Sequence, residues 1–131
     1  MREGGHAKRG AKIVQLTIEI DDRAVLLSDF DLYHYPLNNW YLPLNENDDL
    51  RFEKQHESLG YSWQDLSDYS IQTYSMQQLR NEIVASWDRI FLLGEEDDGW
   101  LFGKNDNKSI QATFWELRLD QVIKAEVFLA K

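Results

Sequence analysis

Apolar and polar residues alternate near the N-terminal end of the chain, between residues 13 and 20. The apolar positions of this run are Val14, Leu16, Ile18 and Ile20. A period of two predicts a β-strand with one buried face. Residues 21–23 predict a turn, and the apolar residues 24–27 predict a second, more fully buried strand.

The most regular helical pattern begins at Ser75, which is followed three residues later by Gln78, as in a capping box. Large apolar residues then recur at helical spacing: Met76, Leu79, Ile83, Val84, Trp87, Ile90 and Phe91. This stripe predicts one long amphipathic helix that Gly94 ends.

Two shorter helical segments are predicted before it. Ser28 is suited to cap a helix that opens at Asp29, and Pro36 predicts that this helix stops or kinks near Tyr35, because proline lacks an amide hydrogen. Residues 48–58 predict the other short helix, although its apolar face is thin.

The remaining segments are predicted as loops and strands. Residues 59–74 read as a loop, and residues 100–102 and 109–117 predict the two strands of a hairpin that turns at 105–107. One helical turn at residues 119–122 leads into a last strand, 123–130.

Strands at both ends with helices between them predict an α+β fold. We expect a largely antiparallel sheet with one long amphipathic helix and one or two short helices. Residues 1–12 are rich in glycine and poor in large apolar side chains, which predicts a flexible lead-in. Residues 13–131 then predict a single domain.

Charge and cysteine content narrow the function classes. The 131 residues carry a formal charge of −9 and contain no cysteine. An acidic body repels phosphate backbones, so direct nucleic-acid binding is not expected. No run approaches the roughly 20 apolar residues that a membrane helix needs. The sequence predicts a cytoplasmic protein that binds a protein or a small molecule, with no membrane contact.

The best candidate for chemistry is a polar face after Ser28. On a helix from Asp29, residues Asp31, His34 and Asn38 share one side, and a carboxylate that orients an imidazole is the arrangement of a general base. The structural alternative is a partly exposed helix pair that Pro36 separates from Asn38.

Glu116 is a second candidate, on the predicted strand 109–117. If the side that it shares with Phe114 is buried, Glu116 needs a partner or lines a pocket. If the side of Trp115 is buried instead, Glu116 is an ordinary solvent-facing charge.

Tryptophans are more often core residues than ligand contacts, and of the five here Trp87 fits the helical core stripe. Trp40 and Trp63 lie in predicted loops and are the two candidates for ligand or partner contact. No metal or cofactor is expected. The three histidines lack metal-ligand spacing, and the acidic run 94–99 (GEEDDG) is too short for a calcium-binding loop and predicts a solvated turn.

Three segments together resemble a bacterial family known only as a domain of unknown function: VLLSDFDLYHYPLNN (25–39), SWDRIF (86–91) and QATFWELRLDQV (111–122). The resemblance spans most of residues 13–130 and implies that the chain corresponds to the C-terminal part of a longer protein with a Trp-rich N-terminal portion. Tyr33 and Pro36 depart from the family pattern. The resemblance implies a fold and no mechanism, so no catalytic residue is assigned.

Three hypotheses follow. The leading one is a small binding or interaction module that uses the Asp31 and His34 face and the loop aromatics. The alternative is a truncated enzyme domain, because the order of elements distantly resembles small ADP-ribosyltransferase folds with a late catalytic glutamate. The third is an acidic inhibitor that mimics nucleic acid, with carboxylate rows at residues 46–49 and 95–98.

Overall fold

The computed structural model of the chain describes residues 8–97, 100–104 and 107–130. The order of elements confirms the predicted α+β class, with two small antiparallel sheets and helices between their strands. The chain divides into two compact units, one of Met1–Leu26 with Thr113–Lys131 and one of Leu27–Ala112. The single domain over residues 13–131 stays a prediction.

The unit built from the two ends of the chain contains an antiparallel pair of strands. Strand β1 is Lys12–Ile18 and strand β4 is Val122–Leu129, with Lys12 opposite Leu129. Both strands confirm the sequence patterns, and the helical turn predicted before β4 is the 3₁₀ helix Leu119–Gln121. The predicted buried face is not found, because Val14 and Leu16 are both exposed.

A second pair of strands lies at the two ends of the Leu27–Ala112 unit: β2 (Leu26–Asp29) and β3 (Ile110–Thr113). The predicted N-cap at Ser28 is wrong, because Ser28 lies in β2, is buried and accepts a hydrogen bond from Gln111 Nε2 at 3.0 Å. Asp29 instead holds the turn that follows β2, and its carboxylate accepts hydrogen bonds from the amides of Asp31 and Leu32, at 2.9 and 3.1 Å. The first α-helix, His34–Leu37, has Tyr33 at its N-cap and no side-chain cap.

The predicted hairpin between residues 100–102 and 109–117 is also wrong. Residues 100–102 form bends, and β3 pairs with β2. Residues 105 and 106 of the predicted turn lie outside the described residues. Strand β3 ends at Thr113, far short of residue 117.

Within the described residues, four α-helices follow β2: α1 (His34–Leu37), α2 (Glu46–Ser58), α3 (Trp63–Ser67) and α4 (Tyr74–Ser86), which continues as a 3₁₀ helix over Trp87–Phe91. The long helix and the helix over 48–58 are confirmed. Thr73 rather than Ser75 caps α4, because Thr73 Oγ1 accepts from the Met76 amide at 3.2 Å. Helix α3 lies where only a loop was predicted.

Two clusters of buried side chains form the core of this unit. The first consists of Tyr41, Phe52, Leu66, Met76, Leu79 and Ile83. The second consists of Leu32, Leu42, Ile90 and Phe102. Trp87 packs against both, as its place in the predicted stripe suggested, whereas Val84 and Phe91 of that stripe are exposed.

Residues 98 and 99 of the acidic run 94–99 lie outside the described residues, and Asp97 of that run is not simply part of a solvated turn. The Asp97 carboxylate accepts hydrogen bonds from the amides of Leu101, Phe102 and Gly103, at 2.6, 2.7 and 2.7 Å. Gly103 has φ +64°, a left-handed conformation that favours glycine. These bonds fold the chain back so that Phe102 is buried in the second cluster.

We expect Asp97→Ala to lower the free energy of unfolding by about 2 kcal/mol, because three amides lose a charged acceptor. Urea denaturation followed by circular dichroism measures the change. Glu95→Ala, an exposed neighbour in the same run, is the matched control and should stay within about 0.5 kcal/mol of wild type. Equal losses in the two variants would contradict a capping role for Asp97.

Candidate functional site

A cavity of about 330 Å³ opens in the Leu27–Ala112 unit. It is lined by Asn39, Trp40, Tyr41, Trp63, Leu66, Ser67 and Ile83. The two loop tryptophans singled out by sequence therefore lie on one cavity. Ligand pockets range from about 300 to 1,000 Å³, so this cavity has room for a compact group.

Trp40 is held mainly through its backbone. It follows Asn39, whose φ of +54° is a left-handed conformation that asparagine tolerates better than most residues. The Trp40 amide donates to the Tyr35 carbonyl at 2.9 Å, and Trp87 Nε1 donates to the Trp40 carbonyl at 2.8 Å. The indole meets the Tyr35 ring edge-on, yet 54% of Trp40 is exposed. Its position is thus fixed while much of the ring stays accessible.

Trp63 is the first residue of α3. Ser62 caps this helix by a capping box: the Asp65 amide donates to Ser62 Oγ at 3.3 Å, and the Ser62 amide donates to the Asp65 carboxylate at 2.7 Å. Trp63 is 45% exposed. The capping box therefore fixes the start of α3 and with it the position of the partly exposed Trp63 indole.

Behind Trp63 lies a buried histidine. His56 is 1% exposed and its ring meets that of Trp63 at 4.4 Å between centroids. His56 Nδ1 is 2.8 Å from the Tyr61 carbonyl oxygen, and a carbonyl only accepts, so Nδ1 carries the hydrogen. Nε2 has no hydrogen-bond partner among the described residues. The His56 ring thus packs against the Trp63 indole from the interior of the protein.

Tyr41 connects the cavity to the interior. Its ring stacks on Phe52 with 4.0 Å between centroids and 7° between planes, and its hydroxyl donates to Asp48 at 2.9 Å. Asp48 forms an ion pair with Arg89 at 2.7 Å. The Tyr41 hydroxyl is therefore engaged away from any ligand.

The ionisation of Asp48 is set by these contacts. Partial burial by itself would raise the pKa of Asp48, but hydrogen bonds from the Leu44 amide, the Tyr41 hydroxyl and Arg51, with the charge of Arg89, outweigh it and lower the pKa to about 2. Burial raises the pKa of Tyr41, with the Asp48 charge adding to it. Around neutral pH Asp48 is charged and Tyr41 keeps its hydrogen.

The same network joins α2 to α4. Arg51 forms ion pairs with Asp48 at 3.0 Å and with Glu82 at 2.6 Å, and Gln55 Nε2 donates to Glu82 at 3.0 Å. Each carboxylate in the network has a positively charged partner. The network holds the two helices that carry much of the first core cluster.

The rim of the cavity contains a second arginine contact. Tyr69 donates from its hydroxyl to Asn39 Oδ1 at 3.3 Å, and the Arg80 guanidinium lies 4.8 Å from the centre of the Tyr69 ring. Arg80 also donates to the carbonyls of Leu66 and Ile71, at 3.3 and 2.8 Å. Arg80 is thereby committed to α3 and the loop after it. None of the residues that line the cavity carries a formal charge.

The polar face predicted from Asp31, His34 and Asn38 is not formed by one helix. Helix α1 covers only His34–Leu37, so Asp31 precedes it. Pro36 lies inside α1 rather than ending it, since the first turn of a helix needs no amide hydrogen there.

Asn38 Nδ2 donates to the His34 carbonyl at 2.7 Å, a contact with the backbone and not with the imidazole. Within the described part of the chain, no hydrogen bond or ion pair is found between the side chains of Asp31 and His34. A ligand role for these residues stays a prediction.

Glu116 lies beyond the end of β3 and is exposed, and Trp115 beside it is fully exposed. The two alternative strand faces considered for residues 109–117 therefore do not exist at this point. The charge of Glu116 adds to the raised pKa of Arg118, which is due first to the hydrogen bond with Asp120. Its role in binding stays a prediction.

Neither a metal-binding cluster nor a membrane-spanning helix is found in the described part of the chain. Over residues 8–97, 100–104 and 107–130, no three histidine or acidic side chains are grouped in a way that would hold a metal ion. In that same part of the chain, every helix is too short or too polar to span a bilayer.

Sequence reasoning missed the polar members of the cavity, Asn39 and Ser67, and the buried His56 behind it. One signal was available: Ser62 and Asp65 have the spacing of a capping box, which marks the start of α3. No local pattern indicates that Asn39 and Ser67 meet, because they come from separate segments.

The fold and the cavity define an α+β protein with a ligand-sized aromatic site. The family model of a domain of unknown function, DUF3841, matches residues 1–123, and the chain belongs to this family. No curated protein and no solved structure matches the chain significantly. The match is N-terminal and includes residues 1–12, so the predicted correspondence to the C-terminal part of the family is wrong.

Proposed function

We propose that this chain is a binding module that holds a compact organic group between Trp40 and Trp63. The observation that carries the proposal is that two indoles, 54% and 45% exposed, line one cavity of about 330 Å³. Large aromatic side chains that stay exposed beside a cavity are typical of ligand and partner contacts. The ligand is a small molecule or one side chain of a partner protein.

The chemistry of the lining supports binding rather than catalysis. Asn39 and Ser67 offer neutral hydrogen-bonding groups, and the floor is made of Tyr41, Leu66 and Ile83. A general acid or base has to reach the substrate with a free titratable group. The Tyr41 hydroxyl is bonded to Asp48, so it serves the framework of the protein.

The preformed framework also supports binding. The Trp40 backbone is fixed by two hydrogen bonds, and Trp63 is fixed by the cap of α3 and by packing on His56. A site whose groups are already ordered loses less conformational entropy when a ligand arrives. Even a compact ligand can then bind measurably.

We expect Trp40→Ala and Trp63→Ala each to weaken binding about tenfold or more, because each removes one of the two exposed rings. Isothermal titration calorimetry of the full chain would use four compact probes: choline, 3,3-dimethyl-1-butanol, indole and methyl β-D-glucoside. Trp115→Ala is the control, since this fully exposed residue does not line the cavity.

At least one probe should bind wild type saturably. Two outcomes would sink the proposal: no saturable binding of any probe, or a loss of affinity in Trp115→Ala as large as in the two cavity variants. Circular dichroism of each variant separates lost binding from lost fold.

A further inference from the structure

Arginines of the Leu27–Ala112 unit lie close to tyrosine rings. Arg89 and Arg51 lie 5.4 and 5.8 Å from the centre of the Tyr41 ring, and Arg80 lies 4.8 Å from that of Tyr69. Arg51 and Arg89 also donate to the Tyr41 hydroxyl, at 2.7 and 3.4 Å, so both approach that ring from its hydroxyl edge. The Arg80 contact with Tyr69 lies well within the roughly 6 Å at which a cation is attracted to an aromatic face.

Trp40 and Trp63 differ from those tyrosines. In the described part of the chain, no arginine or lysine lies over either indole, although indole attracts cations more strongly than phenol or benzene rings do. Both rings are about half exposed at the cavity. Other aromatic residues of this unit, such as Tyr74 and Trp100, are exposed too, but Trp40 and Trp63 are the two tryptophans that line the cavity.

The charges of the lining and of the chain bear on which ligand charge the cavity favours. The lining contains no basic side chain to pair with an anion, and the chain as a whole carries −9. Asp65 of α3 and Asp68 just after it are close in sequence to the lining residues of that helix, and Arg80 donates to backbone carbonyls and lies on the Tyr69 ring. This field favours a cation over an anion.

The few hydrogen-bonding groups of the cavity lining also limit which class of ligand fits. Asn39 and Ser67 are the only polar side chains of the lining besides the engaged Tyr41 hydroxyl and the indole N–H groups. A sugar presents several hydroxyls that each need a partner when buried, and a primary ammonium presents three donors. A quaternary ammonium has no N–H hydrogen and needs none of these partners.

We propose that the group held between Trp40 and Trp63 is a trimethylammonium group. This inference rests on the proposed function and names its ligand class. The positive charge lies over the two indole faces, while the methyl groups contact Leu66 and Ile83 at the floor. A small quaternary ammonium molecule and a trimethylated lysine side chain both present this chemistry.

The test compares two probes of the same shape. Choline and 3,3-dimethyl-1-butanol differ by a positively charged nitrogen in place of a carbon, so their affinity ratio reports the charge alone. With full-length protein at constant ionic strength, calorimetry should show choline binding about tenfold tighter. Trp63→Leu, which keeps an apolar side chain without the indole face, should bring the ratio close to one, and Trp115→Leu should leave it unchanged.

The outcomes separate this inference from the proposed function. If 3,3-dimethyl-1-butanol binds as tightly as choline or more tightly, or if methyl β-D-glucoside binds more tightly than choline, the trimethylammonium proposal is wrong. The proposal of a binding module still stands in that case. Failure of all four probes overturns both. If Trp63→Leu does not fold, Trp40→Leu is measured in its place. The ratio of choline affinity to 3,3-dimethyl-1-butanol affinity in wild type tests the trimethylammonium proposal even without a variant.

A trimethyllysine peptide and choline then distinguish the source of the group. Tighter binding of the peptide assigns a partner protein, and tighter binding of choline assigns a small molecule. Either result supports the trimethylammonium group as long as the ratio to the neutral probe holds.

Discussion

Phe52→Ala is expected to lower the free energy of unfolding by about 4 kcal/mol, the middle of the range for removing a buried phenylalanine. Phe52 is fully buried and lies at the centre of the aromatic group, stacked on Tyr41 and about 6 Å between ring centroids from both His56 and Trp63. Its removal leaves a hole that these rings fill only in part. Urea denaturation followed by circular dichroism measures the loss.

Leu50→Ala is the matched control for Phe52→Ala. Leu50 lies on the same helix α2 and is 44% exposed, so we expect a change of at most about 0.5 kcal/mol. Because Phe52 supports two rings of the cavity, Phe52→Ala should also weaken probe binding under conditions where the variant is still folded. A loss of stability no larger than that of Leu50→Ala would show that the core is not centred on Phe52.

The elements that the sequence predicted correctly are those with long local patterns. The alternation at residues 13–20 is enough to specify β1, and the stripe from Met76 to Ile90 is enough to specify the long helix. The α3 helix was missed because five residues are too few for a helical period to show. Its capping box was the only local sign.

Tertiary contacts explain the errors around Ser28 and residue 100. A serine before two acidic residues and an aromatic is a good N-cap locally, but pairing of β2 with β3 buries Ser28 against Gln111. Residues 100–102 look like a strand because they are large and apolar, yet the backbone bonds to Asp97 bend the segment so that Phe102 is buried while Trp100 stays exposed. Such contacts join distant or irregular segments, so periodicity does not report them.

Only part of the candidate site was predicted, because local sequence patterns do not report contacts between distant segments. Trp40 and Trp63 were chosen because large aromatics in loops are often contact residues, and both line the cavity. Their meeting depends on the left-handed Asn39 and on the position of α3, neither of which the sequence indicated. The Asp31 and His34 face depended on a helix that starts later than predicted, at His34.

One residue of each acidic run in the nucleic-acid-mimic hypothesis, which stays a prediction, has partners within the protein. Asp48, in the run 46–49, binds Arg51 and Arg89, and Asp97, in the run 95–98, caps a loop. A mimic has to present its carboxylates to a basic partner. Carboxylates that already accept several hydrogen bonds support the fold instead.

Asp48→Asn is expected to lower the free energy of unfolding at pH 7 by about 2.5 kcal/mol, since the pKa of Asp48 falls from 3.8 to about 2 on folding and one unit corresponds to about 1.4 kcal/mol. Asparagine keeps the shape but gives up the charge that pairs with Arg51 and Arg89. A carboxyl whose pKa is lowered by folding stabilises the protein above its unfolded pKa. That stabilisation is lost as the pH falls from about 4 through about 2.

Urea denaturation of wild type and Asp48→Asn at pH 7 and at successively lower pH therefore tests two things. It measures how much the Asp48 charge stabilises the fold and whether that stabilisation decreases as the pH falls. The two curves should differ most at neutral pH and converge towards pH 2. Asp49→Asn is the control on the neighbouring residue, because partial burial, with the Asp48 charge, raises the pKa of Asp49. Its charge disfavours folding, so its removal should leave stability unchanged or slightly higher at pH 7. A difference for Asp48→Asn that does not vary with pH would mean that the lost acceptor oxygen, rather than the charge, makes Asp48 important.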